Sequence, residues 1–163
     1  METRTINTLT PSLAELKRHL RITATDLDED LTAILRSAIM TAEHEISTVI
    51  PASSFVLKQT LSCRSIKLRW PTTEVTSVKV DDVALESGDF TNTESLLILA
   101  DGVEGEKVEV EYNAGLESVP DDIKSAILLI AGGLFSNPTD RPEERDRTAA
   151  ANLLRPYRTW GGH

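Results

Sequence analysis

Asp26, Asp28 and Asp30 alternate along an acidic stretch, Thr25-Asp26-Leu27-Asp28-Glu29-Asp30. Carboxylates at that spacing open a calcium-binding loop. The match ends there, because Leu31 stands where glycine must make the turn and Ser37 where a bidentate glutamate would close the shell. Capping of a helix N-terminus accounts for the acids better. His19, His44 and His163 lie far apart, and Cys63 is the only cysteine, so no pair has zinc-ligand spacing. Cys63 could act as a nucleophile beside a histidine, yet nothing around it would activate the thiol; a buried or half-buried strand residue is expected instead. Ala131-Gly132-Gly133 is not followed by Gly-Lys-Ser/Thr and is no phosphate loop. No catalytic residue, metal site or cofactor is expected, and the sequence favours a protein that is not an enzyme.

Composition narrows the alternatives. The 163 residues are 40% hydrophobic, which suits one domain with a real core or a helical body with one insertion. Aromatics are 4%, so aliphatic side chains must do the packing. No internal disulfide can form, which fits a reducing compartment. No apolar run approaches membrane-spanning length, Met1-Glu2-Thr3-Arg4 does not read as a signal peptide, and no membrane partner is expected. The net charge is −9, and residues 81–122 carry thirteen acids against the single base Lys107. Phosphate binding needs clustered Lys and Arg, so this is not a DNA grip. Solvated strand faces explain the acids most simply; a surface that repels passing DNA is the sharper reading.

The elements that would hold these residues follow from periodicity. Ser12 and Glu15 form a possible capping box ahead of Leu13, Leu16 and Leu20. A second helix follows the acids, with Leu27, Leu31, Ile34, Leu35, Ala38, Ala42, Ile46 and Val49 in one stripe ended by Pro51. From Phe55 the period becomes two: Phe55–Leu61, Ile66–Arg69, Val78–Val80 and Val108–Tyr112 alternate, and Leu96–Leu99 is a short buried-strand candidate. Asp81-Asp82, Ser87-Gly88 and Asp101-Gly102 supply turns. Asn113-Ala114-Gly115 closes the sheet, and Pro120-Asp121-Asp122 opens a third helix with a core stripe of Ile123, Ala126, Ile127, Ile130 and Leu134. Leu128 and Leu129 are apolar on another side, and Gly132-Gly133 lowers helix stability, which either a close backbone or a kink would explain. Glu143–Leu154 can form a fourth helix, followed by a basic, aromatic, extended tail. Its aromatic and arginine residues are types that anchor interfaces; Tyr157 and Trp160 could equally fold back onto the body. The expected class is α+β: a bundle of about four helices with a small antiparallel β insert between the second and third. The expected parts are a helical hairpin (1–52), the β insert (53–115), helices completing the bundle (116–154) and the tail (155–163).

This order resembles the head–tail connector (adaptor) proteins of tailed bacteriophages and prophages. "LAELKRHLRI" (13–22) and "DEDLTAILRSAIMTAEHEI" (28–46) look like the opening hairpin, and "IKLRWPTTEVTSVKVDD" (66–82) like the first strands. "VEVEYNAGLESVPDDIKSAILLIAGGLFSN" (108–137) is the most specific piece, and "LLRPYR" (153–158) looks like the terminal signature. Two departures stand out: Gly132-Gly133, where bulkier residues are common, and the extension "TWGGH".

The resemblance implies a structural role. Family members form a homo-oligomeric ring, generally twelve-fold, beneath the portal protein. They extend the DNA channel, through which DNA passes without sequence-specific binding, and offer a docking surface to stopper or tail-completion proteins. The implied location is the virion neck, with the host cytoplasm during assembly. On this resemblance Leu154, Arg155, Pro156, Tyr157, Arg158 and Trp160 are expected to dock the portal. Asp81, Asp82, Glu104 and Glu106 are channel-facing candidates, and Leu128, Leu129, Gly132 and Gly133 subunit-interface candidates. The competing readings are a stopper or tail-completion protein, an enzyme with an unrecognised site, and a small adaptor module of a cellular complex.

Overall fold

The computed structural model describes residues 1–136 and 149–158. The chain divides into two compact units, one from residues 1–7 and 51–117, the other from the described parts of 8–50 and 118–162.

The first unit is built from β1 (Glu2–Ile6), β2 (Ser53–Thr60), β3 (Ser65–Lys67), β4 (Thr72–Val80), β5 (Val83–Ala84), β6 (Phe90–Asn92), β7 (Leu96–Leu99) and β8 (Lys107–Ala114). One antiparallel sheet runs β1-β2-β8-β4-β5 and a second β3-β7-β6. Side chains alternate across each strand, so Phe55, Leu57, Val78, Val80, Val108, Val110 and Tyr112 are buried together on one face of the larger sheet. Phe55 stacks on Tyr112 with ring centroids 5.2 Å apart. In the smaller sheet Ile66, Leu97 and Leu99 are buried. Gly115, at φ +139°, ends β8 where a Cβ would lie 2.7 Å from the Pro51 carbonyl oxygen. Only glycine fits that turn.

The second unit is helical: α1 (Leu13–Leu20), α2 (Asp28–Ile46), α3 (Asp121–Ser136), α4 (Ala149–Leu154) and a 3-10 turn, Arg155–Tyr157. α1 opens on the expected capping box: the Ser12 hydroxyl accepts the Glu15 N–H at 3.3 Å, and the Glu15 carboxylate accepts the Ser12 N–H at 2.7 Å. Leu16, Leu31, Leu35, Ala38, Ile39, Ala42, Ile46, Ile123, Ala126, Ile127, Ala131, Ala150 and Leu154 are buried. That apolar stripe is what stabilises the short helices, since a helix of eight residues is marginal alone.

The class is α+β, but the sheet content exceeds a small insert: among the described residues eight strands form two sheets, and β1 precedes α1. β1 escapes periodicity because it has no large apolar residue facing inward until Ile6; Arg4 instead lays its guanidinium 5.5 Å from the Phe55 ring. α2 stops at Ile46 rather than at Pro51. Ser47 takes a left-handed conformation (φ 55°), and its N–H bonds the Glu43 carbonyl. Val49 and Ile50 are therefore buried from a loop, where the Glu43 carboxylate accepts the Ile50 N–H at 2.8 Å. The acids before α2 do not cap it through a side chain, since Leu27 holds that position. Asp28, Glu29 and Asp30 lie within the first turn, where the dipole favours them, and Asp28 accepts from Lys17 Nζ at 2.7 Å. On α3 the buried line is Ile123, Ala126, Ile127 and Ala131; Ile130 and Leu134 are half-buried. The tail is not extended up to Arg158, because Arg155–Tyr157 turns. Of the fourth helix expected over 143–154, the described residues contain Ala149–Leu154.

Candidate functional site

The four acidic candidates belong to one end of the larger sheet. Asp81 and Asp82 form the turn between β4 and β5, both with positive φ (49° and 65°). Two positive φ values in a two-residue loop match the right-handed twist of a hairpin. The Asp81 carboxylate accepts the N–H of Glu106 at 3.0 Å and of Lys107 at 2.9 Å. Those two N–H donors, Glu106 first and then Lys107, hold the Asp81 carboxyl below its usual range. Gly105 sits against this turn so closely that any Cβ would collide with Val80 and Asp81 side chains. Asp81 is thus a fastener of the β8 entry, while Asp82, Glu104 and Glu106 stand exposed around it.

Beside this turn, Lys58, Glu109 and Lys79 share one row of the outer sheet face. Glu109 meets Lys58 at 2.6 Å and Lys79 at 3.6 Å. The Lys58 bond lowers the carboxyl and raises the ammonium. Much of the acidic excess of β8 is therefore answered locally. On the buried face, Tyr112 donates its hydroxyl to Glu2 at 2.8 Å and accepts the Arg69 N–H at 3.2 Å. Arg69 Nε closes the triangle on Glu2 at 2.9 Å. Burial, then the Glu2 bond, pushes the Tyr112 phenol well above its ordinary range.

The interface candidates on α3 separate. Leu128 is half-buried, Leu129 is 40% exposed and Gly133 is exposed with open space where a Cβ would be. A Cβ on Gly132 would make ordinary contacts with Leu20 and His19 side chains at 3.7 and 3.8 Å. No backbone approaches either glycine closely among the described residues, so that reason for the pair finds no support among them.

The tail candidates also divide. Leu154 is buried at 1% exposure, and Arg155, Pro156 and Arg158 are exposed, with Tyr157 half-buried. Arg158 turns back on α2: its guanidinium bonds the Glu45 carboxylate, and Nε donates to the Glu45 carbonyl at 3.2 Å. Trp160 and the rest of "TWGGH" lie outside the described residues.

Cys63 is exposed in the β2–β3 loop, where Sγ lies 3.1 Å from the Ser65 carbonyl oxygen. The strand expected around it ends at Thr60, which corrects the buried or half-buried expectation. Among the described residues no three His, Cys, Asp or Glu side chains converge as metal ligands, and no helix is long and apolar enough to cross a membrane. Sequence reasoning passed over Arg18 and Arg21, which the structure leaves exposed at the C-terminal end of α1. Their signal is the run Lys17-Arg18-His19 with Arg21, which a helix dipole alone would explain.

No protein-family model and no curated protein sequence matches the chain. Solved structures do. A chain of the neck of an empty gene transfer agent particle, computed with C6 symmetry, has a TM-score of 0.77 at 20% identity, covering 100% of this chain and 97% of that one. The chain shares its fold with a particle-neck component. A chain of the native particle's neck, computed with C12 symmetry, gives 0.74 at 21% identity over 100% and 97%. One of the native virion gives 0.73 at 23% over 99% and 97%. This fold likeness and the resemblance read from the sequence agree.

Proposed function

We propose that the protein is a structural head–tail connector of a tailed bacteriophage or prophage. It forms a twelve-fold ring beneath the portal, prolongs the DNA channel and receives a stopper or tail-completion protein below. The observation that carries this reading is the whole-length fold likeness to neck chains, 100% of this chain on 97% of theirs, in necks computed with C6 and C12 symmetry. The net charge of −9 suits a wall along which DNA must move without sticking. The role is architectural rather than enzymatic, and the protein joins the neck of a virion assembled in the host cytoplasm.

In this reading Arg155, Pro156, Tyr157, Arg158 and Trp160 engage the portal, and Leu154 anchors them by its burial. Arg155→Glu combined with Tyr157→Ala should leave the fold intact and lower capture by the portal about tenfold. Unchanged capture would sink the portal assignment. The ring itself is tested by negative-stain electron microscopy of the purified chain at low and high concentration, alone and with portal rings of its own particle. Open-centred rings are expected; a chain that stays monomeric even on the portal would overturn the connector reading.

A further inference from the structure

Seven cations of the described residues meet an anion, while exposed Arg36, Lys67, Lys107 and Arg155 stand singly without one among those residues. Lys17 meets Asp28, Lys58 and Lys79 share Glu109, Arg64 meets Asp101, Arg69 meets Glu2, Lys124 meets Asp121 and Arg158 meets Glu45. Arg18 and Arg21 form no ion pair among the described residues, and both are exposed. They stand three residues apart, within one helical turn, with exposed His19 between them. Arg21 is the C-cap of α1, fixed in the left-handed conformation (φ 58°) by N–H bonds to Arg18 and Lys17 carbonyls. The cap bonds therefore fix the backbone that carries the patch. Around the β4–β5 turn of the other unit, Asp82, Glu104 and Glu106 likewise stand exposed with no ion pair among the described residues. Asp81, beside them, spends its carboxylate on backbone N–H groups.

Copies that each carry −9 repel one another, so a ring of them needs local attraction at every seam. A ring is closed by heterologous contacts, in which two different patches meet. An unpaired basic patch and an unpaired acidic patch on the same chain supply such a pair. We propose that the α1 terminus of one copy, centred on Arg18 and Arg21, docks on the acidic turn of the next copy, carried by Asp82, Glu104 and Glu106. This inference rests on the ring reading above, and it moves those acids from the channel wall to the seam. Each contact is partly solvated and modest, but closure repeats it at every seam.

The test is a charge swap read by ring counts in negative stain and native mass spectrometry, with circular dichroism confirming the fold. R18E/R21E and E104R/E106R should each lower the ring population about tenfold or more, because like charges would then face each other. The quadruple variant should restore rings, and raising salt should weaken the wild-type ring. Wild-type rings that persist in both double variants overturn the inference and leave the ring reading standing. Rings that persist in R18E/R21E while retention on DNA-cellulose falls overturn it in favour of a DNA contact. No wild-type ring, alone or on the portal, overturns the ring reading and this inference with it.

Discussion

Tyr112 joins three segments through one hydroxyl: β8 that carries it, Glu2 of β1, and Arg69 ahead of β4. Removing that oxygen takes one hydrogen bond from the Arg69 N–H and one from Glu2, whose other carboxylate oxygen keeps its Arg69 partner. Tyr112→Phe should lower unfolding free energy by about 1–2 kcal/mol in urea titrations. The phenol's pKa is raised on folding, so its neutral form is favoured. Its contribution is fully present below the ordinary tyrosine pKa and is lost as pH rises past about 10. The tyrosinate absorbance of wild type minus that of Tyr112→Phe should therefore appear only as the protein unfolds in alkali. Asp81 works in the opposite sense. Its carboxyl is lowered, so its contribution is present above the unfolded value and lost as pH falls through the folded one. Asp81→Ala should lower the urea midpoint at neutral pH and flatten the acid limb of stability against pH. Asp82 holds a positive φ and its carboxylate accepts no hydrogen bond among the described residues, so Asp82→Gly should stabilise the turn by about 0.5–1 kcal/mol, read in the same titrations.

Among the elements, α1 is the shortest of the first three helices and leans on its cap. Ser12→Ala should cost about 1 kcal/mol, seen as a lowered melting temperature. α3 offers a separate test. Gly133 faces open space, so Gly133→Ala should raise the stability of the isolated chain by about 1 kcal/mol in chemical denaturation. If Gly133 then impairs assembly as alanine, the glycine is kept for a neighbour rather than for the fold. The elements legible in the sequence are those whose apolar residues fix a period. β2, β3, β4 and β8 alternate, β7 is a short continuous apolar run, and α1, α2 and α3 repeat at three and four. β1 was illegible because its inward places hold Glu2 and Arg4, whose long side chains cover the sheet with their stems. The end of α2 was illegible because a serine, not a glycine or proline, adopts the left-handed cap. Asp81-Asp82 was readable as a turn. Its grip on Glu106 was not, since the two lie 25 residues apart in sequence. The Arg18–Arg21 patch was hidden by its own plausibility, as basic residues ending a helix need no further reason.

At the scale of the whole molecule, charge is distributed by purpose rather than spread evenly. Lysines answer Glu109 within the sheet, whereas the acids at the β4–β5 turn and the arginines ending α1 remain open to other molecules. The pairing of β1 with β2 has a different consequence, in the order of synthesis. Glu2 pairs with Leu57, and both helices α1 and α2 are made between those partners. β1 leaves the ribosome before its partner and must wait unpaired while the helical hairpin emerges. That hairpin waits in turn for α3, which emerges only after the last strand. The two units are thus interleaved in time, with neither complete before the other has begun. A nascent chain stalled just after residue 117 has cleared the exit tunnel should protect its strands from protease while α1 and α2 remain open to cleavage.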